Sequence, residues 1–192
     1  MANYSNSAVY DVRKVLWNEL VTSGVIRAKQ APQSAAAAWE VAKYDDYVDQ
    51  NGIFFMPIIP VQEQDTFKNS LGITSSSPIP YIVYDLDLYG YDTDWIVCKE
   101  RLTFKIYANS FSKVSTITNL MVDLFRRFDE SAKTVNTEVK TINPTSPFAY
   151  KYFTLTEANS PDPAEELSGR LEADIAIMYA YTRNIGADGR FA

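Results

Sequence analysis

The stretch RLTFKIYANSFSKVSTITNLMVDLFRRF, Arg101 to Phe128, changes its hydrophobic period halfway along. Its opening residues alternate, with Leu102, Phe104, Ile106 and Ala108 on one side and Arg101, Thr103, Lys105 and Tyr107 on the other, which predicts a strand with one buried face. Beyond Ser110 the apolar positions become Val114, Ile117, Met121, Leu124, Phe125 and Phe128, the spacing of an amphipathic helix. A half-buried strand feeding a one-sided helix implies a layer of helix against a layer of sheet.

Working outward, the same alternation recurs on both sides. In YIVYDLDL, Ile82, Tyr84, Leu86 and Leu88 oppose Tyr81, Val83, Asp85 and Asp87; a turn over Gly90 to Asp94 then joins this strand to the next as a hairpin. Downstream of the helix, the polar run TVNTEVKTINPTSP reads as a connection. FAYKYFTLTEA follows it and, past the breaker ANSPDPAEELSG, so does RLEADIAIMYAYTR, with Leu171, Ala173, Ile175, Ile177, Tyr179 and Tyr181 on one side. These form a second hairpin. Near the start, Val9, Val12, Leu16 and Leu20 recur at helical spacing, with Ser7 where an N-cap belongs and Gly24 where the helix should end.

Residues 27–77 differ in character. An alanine run (Ala35 to Ala38) precedes IFFMPIIPVQEQ, in which Pro57 and Pro60 each remove a donor from any ladder. This segment reads as an excursion: an extended arm or a strand at a sheet edge. The expected fold is α+β, one domain over residues 1–192, with an antiparallel or mixed sheet covered on one face by two amphipathic helices and an arm inserted after the first of them.

Composition narrows the chemistry. Against 18 Lys+Arg stand 24 Asp+Glu, a formal charge of −6, which argues against a surface built to grip nucleic acid. Histidine is absent from the sequence, removing the commonest general base and transition-metal ligand at neutral pH. The only cysteine, Cys98, sits in the apolar run WIVC, reads as a small core residue and fits a reducing cytoplasm. No apolar run reaches the length of a membrane span, so the expectation is a protein made soluble in the cytosol. Seven glycines are scattered singly, without a phosphate loop.

Two acidic groupings are candidates for chemistry. Asp85, Asp87, Asp92 and Asp94 surround Gly90, but strand period turns Asp85 and Asp87 to solvent and places the other two in a turn. Their spacing does not match a calcium loop, so they read as an acidic surface, with no metal and no cofactor expected. Glu165 and Glu166 lie on the breaker, and Arg126 and Arg127 at a helix end, where cations meet the helix dipole favourably. No catalytic residue is assigned. The aromatic content, 14% with 13 Tyr, exceeds what one core needs and marks contact surfaces. Phe54, Phe55, Ile58 and Ile59 are expected as anchors for a neighbouring subunit, with Tyr89, Tyr91 and Trp95 as the partner surface.

Four segments together, VYDVRKVLWNEL, PIPYIVYDL, ERLTFKIYANSFSKVSTITNLMVDLFRRF and SGRLEADIAIMYAYTR, make the chain resemble the tail terminator proteins of long-tailed bacteriophages. The resemblance is of architecture and covers Ser7 to Gly24 and Pro78 to Arg183; residues 27–77 exceed what the compact members require. It implies a structural virion protein of the tail or neck, assembled in the host cytoplasm. Such proteins form a homohexameric ring that caps the tail tube protein, stops its growth and offers a surface to the neck connector. DNA would pass through the ring without specific binding, helped by an acidic lining. Two alternatives stand beside it: a head-to-tail connector or tail-completion protein of the neck, and, in another class, a metal-assisted hydrolase using Asp85, Asp87, Asp92 and Asp94.

Overall fold

A computed structural model of the chain defines residues 8–23, 58–71, 80–91, 97–163 and 170–183. The class is α+β, as expected, and the sheet is mixed. Its strands are β1 (Ile58–Pro60), β2 (Tyr81–Tyr91), β3 (Val97–Ala108), β4 (Phe148–Ala158), β5 (Asp162–Pro163) and β6 (Leu171–Arg183). They lie in the order β1-β2-β3-β6-β4, with short β5 paired to the start of β6. Only β1 runs parallel to its neighbour, with Ile58 opposite Ile82; the other pairs are antiparallel. Both predicted hairpin pairings are present, β2 with β3 and β4 with β6.

Register explains the core. Opposing residues such as Phe104 and Ile175, or Phe153 and Tyr179, share a face because side chains alternate with period two. That inner face is covered by three helices: α1 (Ala8–Thr22), α3 (Phe111–Asp129) and α4 (Ala132–Ile142). In α3 all six stripe residues read from the sequence are buried, and Ser110 caps the first turn by accepting from the Lys113 amide at 3.4 Å. Phe125 stacks on Phe104 at 5.7 Å between centroids, and Phe128 meets Phe153 edge-on at 5.6 Å. Each such ring contributes roughly 1.5–3 kcal/mol by leaving water.

Three features depart from the sequence reading. The run taken as a polar connection contains α4, capped by Ser131 and held by just two buried residues, Val135 and Val139, one helical turn apart. The strand β2 continues through Gly90, which pairs with Lys99 after the register skips Tyr89, so Gly90 belongs to the strand beside a bulge and not to the turn. The excursion is not wholly an arm either. Its residues 58–71 form β1, a 3-10 turn (Val61–Glu63) and the helix α2 (Gln64–Leu71), which packs on the outer face of the sheet. There Phe67 meets Tyr81 at 5.4 Å, Tyr81 stacks on Tyr107 at 5.1 Å, and the Arg170 guanidinium lies 5.2 Å from the Tyr81 ring centre. Helices therefore cover both faces, three on the inner side and α2 at one edge of the outer side. Pro60, at the end of an edge strand, sits where a residue without an N–H is tolerated. None of the helices among the described residues is long and apolar enough to cross a membrane.

Candidate functional site

The predicted surfaces are divided by the fold. Asp85 and Asp87 are exposed on the outer face of β2, as the alternation requires, and Asp85 accepts a hydrogen bond from the Leu86 amide at 3.0 Å. Asp92, Asp94, Trp95, Phe54 and Phe55 lie outside the described residues, as do Ser7, Gly24, Glu165 and Glu166. Tyr89 and Tyr91 belong to the end of β2. Among the described residues, no group of three or more metal-ligating side chains comes together. Ile58 and Ile59 require a correction. Ile58 is 0% exposed in the inner core and Ile59 is buried on the other side of the same strand, so neither is free to anchor a neighbour. Hydrophobicity at a proline-broken edge suggests a sticky arm, whereas the chain covers it with its own helices on both faces.

Sequence reasoning missed the polar centre of the inner face. Asp11, in the first turn of α1, is 1% exposed and accepts three hydrogen bonds: from Asn143 Nδ2 at 2.7 Å, Ser146 Oγ at 2.5 Å and Tyr150 Oη at 2.8 Å. All three donors lie on the segment from the end of α4 into β4, which the Lys140 ammonium also braces by donating to the Ser146 carbonyl. A carboxylate buried without such donors would cost several kcal/mol. Beside it Glu100, 7% exposed on β3, accepts from Tyr179 and Tyr181 hydroxyls, each at 2.6 Å. The rings of Tyr150, Tyr179 and Tyr181 pack together, centroids 6.1–6.4 Å apart, so the two carboxylates share one aromatic wall.

The electrostatics of this centre favour holding over reacting. Burial pushes the Tyr150 phenol well above its ordinary pKa, and the nearby Asp11 charge pushes it further. Tyr179 is raised in the same way, by burial first and then by Glu100. Both phenols therefore keep their protons at neutral pH and serve as donors. The signal that could have found Asp11 is an acid one residue before Val12 on a helix whose buried surface extends well beyond one stripe, including Val15 and Trp17.

On the surface, the long edge strand β4 is guarded. Asn136 of α4 places its amide against the Tyr150 backbone, donating to the carbonyl at 2.8 Å and accepting from the N–H at 2.9 Å, as a neighbouring strand would. Two register shifts, at Tyr150/Tyr152 and Leu155/Glu157, further irregularise the strand. At its far end a groove of about 260 Å³ opens between α3 and the β4–β5 turn, beside Phe111, which is 60% exposed. Its other walls, among them Ser115, Asn119, Val122, Asn159 and Pro161, carry no charge. On the helical side, Arg127 of α3 ties α1 to α4 through Glu19 at 2.9 Å and Glu138 at 3.7 Å.

Compared with the models of known protein families and with curated proteins, the sequence finds no match.

Proposed function

We propose that the chain is a structural protein of a bacteriophage tail, a terminator that closes the tail tube as a ring of identical subunits and offers a surface to the neck. The observation that carries this reading is the order of elements: a first helix, an edge strand with its own short helix, a hairpin whose second strand feeds a long helix, a second helix, and a closing antiparallel pair, all around one sheet. Two properties support it further. The sheet has two unlike edges, three-residue β1 beside α2 and eleven-residue β4 beside α4, as a head-to-tail contact between unlike surfaces needs. The buried polar centre holds its protons and serves packing, which suits a part whose work is shape. Termination needs no chemistry: one surface of the ring mimics the tube's docking surface and the other lacks it.

The test is to assemble tail tubes with and without the protein and measure their lengths in negative stain. Tubes closed at one end by a ring, and no longer growing when more tube protein is added, are the expected outcome. Tubes that grow to the same lengths in both samples, with no added density at either end, would sink the reading.

A further inference from the structure

Strand order sets β1 and β2 at one edge and β4 at the other, four inter-strand steps apart, or roughly 19 Å at about 4.8 Å per step. The two edges differ in free charge. At the first, Glu63, Asp65, Asp85 and Asp87 are all exposed. Lys68 pairs with Asp65 at 2.8 Å, and the other three carboxylates have no ion pair among the described residues. Val61, 40% exposed, lies on the turn that carries Glu63 and packs beside β2.

At the opposite edge the exposed cations are Lys133 and Lys140 on α4 and Lys151 on β4; the exposed acid of β4, Glu157, lies 3.5 Å from Arg101. Lys133 and Lys140 are seven residues apart and so share one side of the helix. None of the three has an ion pair among the described residues; the acid between them, Glu138, faces Arg127. At the neighbouring end of α3, Arg127 is paired with Glu19 and Glu138.

Asp85 and Asp87 also lie on a different side of the sheet from the two α4 lysines. Asp85 and Asp87 point outward, while α4 belongs to the inner layer, with Val135 and Val139 in the core. Copies overlapping like roof tiles would bring one patch onto the other without either edge strand exchanging its own partners. Because Asn136 occupies the Tyr150 backbone and bulges interrupt β4, side-chain charge rather than strand pairing is available for attraction at that edge.

From this complementarity we infer that the acidic flank of one copy, Glu63, Asp85 and Asp87 around Val61, docks on the Lys133, Lys140 and Lys151 flank of the next, head to tail. The inference rests on the ring reading above and adds the surfaces by which neighbours meet. A second copy is the occupant because both halves of the match belong to the same chain. A repeated contact between unlike flanks closes on itself when the rotation per subunit divides a full turn.

A charge swap tests it by sedimentation velocity. One variant is Asp85→Lys/Asp87→Lys and the other Lys133→Glu/Lys151→Glu, with Lys140 kept because it donates to the Ser146 carbonyl; the four changed side chains are exposed, so both variants should keep the fold by circular dichroism. Wild-type association is expected to weaken as salt screens the flanks. Each variant alone should associate about tenfold more weakly or worse, having turned attraction into repulsion. An equimolar mixture should recover association, since each variant then meets an opposite flank. A wild type that stays monomeric at every concentration, a variant that associates like wild type, or a mixture that fails to recover would each overturn the contact. If a reversed variant fails to fold, Asp85→Asn/Asp87→Asn and Lys133→Gln/Lys151→Gln replace it, with weakened association expected and unchanged association overturning. The tube-length assay separates the two readings. Variants that cap tubes and assemble as wild type sink this contact alone, whereas a wild type that assembles by charge and never caps a tube sinks the tail assignment and leaves the contact standing.

Discussion

Tyr150, near the start of β4, donates its hydroxyl to Asp11 in the first turn of α1 at 2.8 Å, across 139 positions of sequence. The bond joins the N-terminal helix to the second half of the chain through a carboxylate that also holds Asn143 and Ser146. Tyr150→Phe should lower stability by about 1.5–3 kcal/mol, the worth of a hydrogen bond to a charged group. Asp11→Ala should cost on the order of 3 kcal/mol or more, because three buried donors lose their acceptor together. Urea midpoints read both. Equal midpoints for Tyr150→Phe and wild type would mean that the bond contributes nothing.

Phe125 is the best probe of the helix–sheet interface. Its ring stacks on Phe104 and meets Phe128 edge-on at 6.5 Å. Phe125→Ala is expected to cost about 3–5 kcal/mol, the usual range for emptying a buried ring site. Phe125→Asp should leave no folded protein, since an unpaired charge cannot be carried there. Cooperative melting of soluble Phe125→Asp protein would show that this face of α3 does not point inward.

Ile58 distinguishes an integral edge strand from a removable arm. Fully buried and opposite Ile82, it should cost about 2–5 kcal/mol when cut to alanine. Ile58→Asp should unfold the domain. Were both variants to melt like wild type, β1 would have to be a loosely attached segment after all.

Asp174 gives the chain a pH dependence. Burial raises its carboxyl above the ordinary value; Lys105 opposes the shift and Glu157 adds to it. Because the folded carboxyl holds its proton more tightly than the unfolded one, its ionisation opposes folding at neutral pH. That cost disappears as pH falls through the folded pKa. Asp174→Asn should therefore raise the melting temperature at neutral pH, by an amount that shrinks toward zero in mild acid. An unchanged or lowered melting temperature at neutral pH would reverse the sign assigned to this group.

Legibility followed the strength of each periodic signal. The strands β2, β3, β4 and β6 were readable because one face is apolar over many residues, and α3 because six apolar positions repeat at helical spacing. By contrast, α4 offers the core only Val135 and Val139 among threonines and lysines, too little to announce a helix. β1 is three residues long and takes its place from a parallel pairing that no local pattern encodes. Asp11 and Glu100 were overlooked for a different reason: a buried acid is betrayed by its donors, and those come from remote parts of the chain. The acidic surface at Asp85 and Asp87 was correctly placed toward solvent, since strand period alone decides it.

The strand that joins β3 to β4, β6, is the last of the described strands to be synthesised. While the ribosome is still short of Leu171, β3 and β4 have no ladder to share, because each pairs with β6 and not with the other. The nascent chain therefore waits with a hairpin and a lone strand, both exposing unpaired margins, until translation supplies the strand that bridges them. Premature termination before that point leaves β3 and β4 without the strand both pair with, not a smaller version of the domain.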